Sequence, residues 1–296
     1  MLTEELLKYA GKYWGPGMVE EEILREEKFP LVDIQTTIAW LMIKKHVSER
    51  SINTVLDAGA GFGRYSIPMA KFGYQVTHLD ISEAMLILAK QIAQKEEIKN
   101  INFMLSDITS LKEIKNRQYD FTLCFDAPIS YVYPRQFEAI DELCRVTDKL
   151  AMFMVSGRSG VLPYMIDFDL SREYLPKGYK KKIDPFYITK QILANGVEKW
   201  PDEIKTYLEQ NHKDAPLDYS FKVDELITAV EQNGFKVLEI GGPGALARSI
   251  KPESLEKIRS DERLFNQFIE FSLNYDFDKY NLGLGAVNIL IIAERV

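Results

Sequence analysis

The chain has 296 residues, enough for two modest domains or one elaborated α/β domain with a full hydrophobic core that needs no staples. Its 46% hydrophobic and 27% charged residues exclude intrinsic disorder and fibrous architectures, and a formal net charge of −7 argues against a dedicated nucleic-acid binder. The two cysteines, Cys124 and Cys144, do not stand at metal-ligand spacing, so no metal site is expected and a reducing cytoplasm is the simplest compartment. The first thirteen residues lack the apolar run of a signal peptide, and no stretch is apolar enough to be expected to span a membrane.

Residues 1–50 show helical periodicity, clearest over 32–47, and read as a helical cap. From Thr54 onward short β-type runs alternate with longer helical patterns, which is the signature of βαβ units and a parallel sheet. Strands are expected at 54–57, 75–80, 102–105, 120–125, 150–155, 236–240 and 288–294, seven in one sheet. Helices are expected at 64–71, 82–96, 135–145 and 223–233. Ser82 suits the N-cap of the second, and Asn233-Gly234 suits the end of the last. Two stretches interrupt the alternation. Residues 158–218, rich in Tyr, Lys and Pro, read as a lid or substrate-binding element, and residues 242–285 contain a helical pattern over 253–275. The expected division is a cap at 1–50, a core at 51–157 and 218–296, and an inserted lid at 158–217.

The chemistry concentrates in Val55-Leu56-Asp57-Ala58-Gly59-Ala60-Gly61-Phe62-Gly63, three glycines at alternate positions between an expected strand and helix. A turn without side chains lets a ligand lie against the backbone, and the following helix start offers unpaired N–H groups. The alternative is a tight turn whose glycines serve helix–sheet packing alone. The spacing is G-x-G-x-G and not the dinucleotide G-x-G-x-x-G, which excludes a nicotinamide-dependent oxidoreductase. Asp57, two residues before the first glycine, would repel a pyrophosphate and suits an ammonium group. Asp80 ends the second strand, where a carboxylate can accept from both ribose hydroxyls; its plainer role is to cap a helix or face solvent.

With these residues the sequence resembles the class I S-adenosylmethionine-dependent methyltransferases, in particular their UbiE/UbiG-like group. The resemblance rests on VLDAGAGFGRYSIPMAKFGYQVTHLDIS, on Ser106-Asp107-Ile108, on YDFTLCFDAPISYV and on a last strand close to the C-terminus, and covers most of 50–157 and 218–296. It implies a Rossmann-like α/β sheet in the order 3-2-1-4-5-7-6, last strand antiparallel, and S-adenosyl-L-methionine as cofactor. By the same resemblance Gly59, Gly61 and Gly63 line the methionine moiety and ribose, with Asp57 near the amino group. Asp80 holds the ribose, Ile81 flanks the adenine, Asp107 accepts the adenine amino group and Ile108 offers a backbone N–H. Asp126 reaches the methionine end and the acceptor, and Tyr13 lies on an N-terminal helix of the kind that closes over the cofactor in related enzymes, where its role is to cover the sulfonium or, more plainly, to pack an amphipathic helix. Asp126-Ala127-Pro128-Ile129 matches the [ND]-P-P-[FY] motif of amino-group methyltransferases only loosely, so the methylated atom is left open.

Methyl transfer from a sulfonium asks chiefly for alignment, so a conspicuous base is optional. His212, inside the insertion, and Tyr131, after the fourth strand, are the candidates to touch the acceptor; a solvated loop histidine and a packing tyrosine are their plainer roles. His78 is expected to pack between sheet and helix, His46 to complement a helix C-terminus, and Arg64 to pair with the cofactor carboxylate or a neighbouring acid. The basic run 177–182 reads as a solvated loop or as a contact for an anionic substrate group. The expected activity is methyl transfer to a small-molecule or short-peptide acceptor; a protein or RNA methyltransferase and a non-catalytic scaffold are the alternatives.

Overall fold

The computed structural model describes residues 14, 16–179, 182–204, 207, 217–278 and 286–296. In chain order α1 (Pro16–Lys28) and α2 (Pro30–Ser48) lead into β1 (Thr54–Ala58), α3 (Ser66–Lys71), β2 (Gln75–Asp80), α4 (Glu83–Lys95), β3 (Ile101–Leu105) and β4 (Tyr119–Cys124). Then come α5 (Pro128–Tyr131), α6 (Gln136–Val146), β5 (Thr147–Ser156), α7 (Arg158–Ser171), α8 (Tyr187–Asn195), β6 (Val197–Glu198) and β7 (Asp218–Tyr219). The chain closes with α9 (Val223–Gln232), β8 (Phe235–Gly241), α10 (Ala245–Arg248), α11 (Pro252–Arg259), α12 (Glu262–Asp276) and β9 (Asn288–Arg295).

Seven strands form one sheet in the order β3-β2-β1-β4-β5-β9-β8, with β9 antiparallel to both β5 and β8. With the separate β6–β7 ribbon set aside, this is the expected 3-2-1-4-5-7-6 order. The strand alternation explains the layers. Ala151, Phe153 and Val155 of β5 point to one core with Ala139, Ile140 and Leu143 of α6 and Leu226 and Val230 of α9. Leu150, Met152 and Met154 point to the other, with Ile34, Ile38 and Met42 of α2 and Phe268 and Ile269 of α12. Central strands covered on both faces are buried at nearly every position, which is why β1 reads Val55-Leu56 without alternation.

Local signals hold in several places. Ser82 accepts a hydrogen bond from the Met85 N–H as the N-cap of α4, and Asn233 with Gly234 at φ +76° ends α9. Other expectations need correction. The helix expected from Arg64 begins at Ser66, because Gly63, at φ +100°, turns the chain and donates to the Ala60 carbonyl. The helix expected over 253–275 is two, since Asp261 starts α12 anew by accepting from the Leu264 N–H. The fifth strand is longer than expected because β4 pairs with it from Tyr119↔Thr147 and β9 as far as Ser156↔Asn288. The insertion is built of α7 and α8 around its own cluster of Val161, Met165, Tyr174, Ile188 and Ile192, while Val197 and Tyr219 of the β6–β7 ribbon join the core of the main sheet.

Candidate active site

Between β1 and β4 the strand order reverses direction, and at such a point in an open α/β sheet ligands bind beyond the carboxyl ends of the strands. A cavity of about 980 Å³, counting its open mouth, lies there. It is lined by the β1 loop (Asp57 to Arg64), by Asp80, Ile81 and Met85, by Ser106 to Ile108, by Phe125, Asp126, Pro128 and Tyr131, and by Trp14, Glu22 and Arg25 from the N-terminal region.

The glycine loop shapes one wall. Gly59 has φ +74°, and a Cβ there would collide with the Pro128 ring. Gly61, at φ +57°, has open space where a Cβ would be, so the cavity reaches its backbone. Its N–H donates to Asp80 Oδ2 at 2.7 Å, while Asp80 Oδ1 accepts from the Ser82 N–H at 2.7 Å. Burial raises the Asp80 carboxyl, and these backbone donors oppose the rise. A carboxylate offers about four acceptor sites, so these donors do not exhaust it.

Asp57 is 1% exposed, and its Oδ2 is buried without any hydrogen-bond partner. Burial pushes its carboxyl up to about 7, against hydrogen bonds from the Ser66 backbone and hydroxyl. Ser66 Oγ in turn lies 2.7 Å from Nδ1 of His78, a ring that burial pushes down to about 4 and so keeps neutral. The cavity wall thus carries a buried acceptor whose hydrogen-bonding capacity is unmet within the protein.

On the far side Asp107 accepts from the Thr109 N–H at 2.9 Å and the Thr109 hydroxyl at 2.6 Å, and Ile108 is buried on the same wall. Asp126 and Ala127 follow β4 with φ of +61° and +66°, a strained pair that turns the Asp126 carboxylate towards Arg25 at 3.4 Å and Arg64 at 3.8 Å. Tyr131 lines the cavity with its ring edge-on to Trp14, centroids 5.7 Å apart.

The structure thus brings Asp57, Gly59, Gly61, Asp80, Ile81, Asp107, Ile108, Asp126 and Tyr131 to one cavity, with Gly63 in the turn behind it. Tyr13 and His212 lie outside the described residues. Arg64 takes the role of pairing with acids: it bonds Glu26 at 2.6 Å, the Thr36 hydroxyl at 3.3 Å and the Glu22 carbonyl at 3.3 Å. His78 packs between sheet and helix, and His46 sits 2.9 Å from Glu239 Oε2 at the end of α2. Sequence reasoning missed Glu22 and Arg25. In the charged run of α1 they look like a solvated face, and only the docking of that helix over the β1 loop shows them to line the cavity. Among the described residues no group of three or more metal-ligating side chains exists, and no helix is long and apolar enough to cross a membrane.

Fold and site together define an α/β protein with a candidate ligand cavity at the switch point of its sheet. Comparisons with known proteins make the class specific. Residues 55–149 match the family model described as a methyltransferase domain. The ubiquinone biosynthesis O-methyltransferase of Coxiella burnetii is 30% identical over 207 residues, 66% of this chain and 81% of that protein. A magnesium-protoporphyrin O-methyltransferase of Synechocystis is 31% identical over 118 residues, 39% of this chain and 48% of that one. Solved S-adenosylmethionine-dependent methyltransferases from Mesorhizobium loti (TM-score 0.52, 15% identity, 87% of this chain and 98% of that) and Clostridium acetobutylicum (TM-score 0.52, 11% identity, 88% and 92%) share the fold. The chain belongs to the class I S-adenosylmethionine-dependent methyltransferases, in the UbiE/UbiG-like group, and its cofactor is S-adenosyl-L-methionine.

Proposed function

We propose that this chain methylates an oxygen of a small-molecule acceptor in the cytoplasm, with the cofactor seated in the cavity at the β1–β4 switch point. The buried, unpartnered Asp57 Oδ2 carries the placement, since it fits the amino group of the cofactor's methionine end. Asp80 accepts from the ribose hydroxyls, Gly59, Gly61 and Gly63 keep the loop backbone close to the ligand, and Ile81 packs on the adenine. Asp107 and Ile108 meet the adenine edge, and Asp126 faces the methionine end.

The cofactor supplies a methyl group on a sulfonium, an already activated leaving group. The protein has to hold donor and acceptor in line and keep water out, which supplies roughly 7–11 kcal/mol in well-aligned systems. Tyr131, on the cavity wall after β4, is the candidate to orient the acceptor oxygen or take its proton. The choice of oxygen rests on the O-methyltransferases among the relatives, and that of a small acceptor on the same two proteins. The test is to incubate the protein with methyl-labelled S-adenosylmethionine and a cell extract and to identify the labelled product. A labelled small-molecule methyl ether or ester is expected. Label on nitrogen, on protein or on RNA sinks the reading.

A further inference from the structure

The β6–β7 ribbon ties the end of α8 to the returning chain with two residues in each strand, Val197↔Tyr219 and Glu198↔Asp218. Its two faces are unlike. Val197 and Tyr219 are buried in the core of the main sheet, with Tyr133 stacked on Tyr219, whereas the other face sets two carboxyls directly opposite each other. Like charges in that register repel, and a ribbon this short is marginal on its own. Among the described residues the surroundings pair no cation with either carboxyl. Asp169 of α7 adds a third negative charge within reach of Glu198, and its own oxygens accept from the Ile188 and Thr189 N–H groups. Arg158, from the same helix, spends its guanidinium on the Ser220 carbonyl at 3.1 Å and on Glu225 of α9 at 3.4 Å. Lys199, next in the chain, reaches Asp202 at 3.3 Å. From β5 the Ser156 hydroxyl arrives 2.9 Å from Asp218 Oδ2, and Asp218 Oδ1 is buried without a partner.

We propose that Glu198 and Asp218 are a proton-operated latch on the insertion: with one proton shared between them the ribbon is closed, and release of that proton to solvent, which takes the pair from one negative charge to two, opens it. A protonated Glu198 can donate to Asp218, whose Oδ1 has an unmet acceptor site, and the same proton removes the repulsion. Glu198 retains some exposure, so the proton has a path to water. Burial and the neighbouring Asp218 charge raise the Glu198 carboxyl to about 8, which places the release just above neutral pH. The latch is also tied to the cavity. Ser156, the hydroxyl donor to Asp218, gives its N–H to the Ser130 hydroxyl at 2.9 Å, and Ser130 precedes Tyr131 on the cavity wall.

Hydrogen exchange read by mass spectrometry on the full chain, with rates corrected for the intrinsic rise of exchange with pH, tests this without any ligand. The Ser220 N–H, which donates to the Gly196 carbonyl at 2.7 Å, reports on the ribbon, and the amides of β4 and β5 are the reference. Protection of the ribbon is expected to fall about 10-fold from pH 7 to pH 9 while that of β4 and β5 holds. E198Q keeps the shape and a donor but cannot ionise, so its ribbon protection should not change with pH. D218N should remove the dependence from the other strand, and either variant decides alone where its companion does not fold. Ribbon protection that stays constant from pH 7 to pH 9 in the wild-type chain overturns the proposal. So does a fall that either variant retains, or one that β4 and β5 share in equal measure.

Discussion

The candidate cavity and the inserted segment both draw carboxylates out of water, and most of those in the cavity are partnered differently from those in the insertion. In the cavity, Asp80 accepts backbone N–H groups at both oxygens, and Asp107 accepts twice from Thr109. In the insertion, Glu198 and Asp218 sit directly opposite each other across the β6–β7 ribbon. Asp218 has the Ser156 hydroxyl at 2.9 Å on Oδ2, while its Oδ1 is buried without a partner. Burial and the neighbouring Asp218 charge push Glu198 up to about 8, and burial pushes Asp218 up to about 6. Donors supplied by the fold hold the first set in place; the second set, among the described residues, has only the Ser156 hydroxyl, and burial favours its protonated form. Asp57 is the exception within the cavity, raised to about 7 with one oxygen bare, so the contrast is between donor-held carboxylates such as Asp80 and those left to protonation.

That contrast can be broken most forcefully by removing one region. Replacing residues 159–217 with a short Gly-Ser linker should abolish methyl transfer while S-adenosylhomocysteine affinity stays within about a factor of ten, because the cavity lining lies outside this segment. Full transfer activity in the shortened protein, shown to be folded by circular dichroism, would relocate the acceptor pocket to the N-terminal helices and to 242–285.

Smaller changes sharpen it from the cavity side. Gly61→Val should weaken S-adenosylhomocysteine by on the order of 100-fold or more, since a branched side chain at φ +57° both strains the loop and fills the open space. Asp80→Ala should lose about 1.5–3 kcal/mol of binding, the worth of hydrogen bonds to a charged acceptor. Calorimetry reads both, and wild-type affinity in either variant would contradict the site.

The mildest effect is on stability. Asp57, Glu198, Asp218 and Asp276 all have carboxyls raised in the folded state, to about 7, 8, 6 and 6. Raised folded values mean that the folded chain holds these protons more tightly than the unfolded chain, so stability is greatest at low pH and declines as pH climbs through the folded values. The ligand-free protein should therefore melt about 3–6 °C lower at pH 8 than at pH 5. Bound S-adenosylhomocysteine, whose amine favours the ionised Asp57, should narrow the difference. Melting curves that rise from pH 5 to pH 8 would refute the assignment.

What the sequence disclosed follows a physical divide. The glycine turn, the Ser82 cap and the apolar central strands depend on neighbours within a few residues, so 54–96 was legible almost to the residue. The insertion hid its helices for a local reason too: α7 carries Pro163 in its interior, and it shows apolar side chains on its buried face (Val161, Met165) and on its exposed one (Tyr164, Ile166, Leu170), which erases the periodic signal. Arg25 was illegible because its meaning comes from Asp126, a hundred residues away. Asp57 was read as suited to an ammonium group, but that its Oδ2 is left bare only the packed structure could reveal.

The root of the insertion has a consequence for how such proteins diversify. Gly157 and Phe221 form a β-bridge, with the Arg158 N–H donating to the Phe221 carbonyl at 2.8 Å and the Phe221 N–H to the Ser156 carbonyl at 2.7 Å. The segment thus leaves and re-enters the body through a single clasp. Closing a longer or shorter loop on a fixed clasp changes the entropy only logarithmically, by about 0.6 kcal/mol for each doubling of length. Evolution, or an engineer, can therefore change the length of this segment at little entropic cost while the cavity at the switch point, which takes no lining from it, goes untouched.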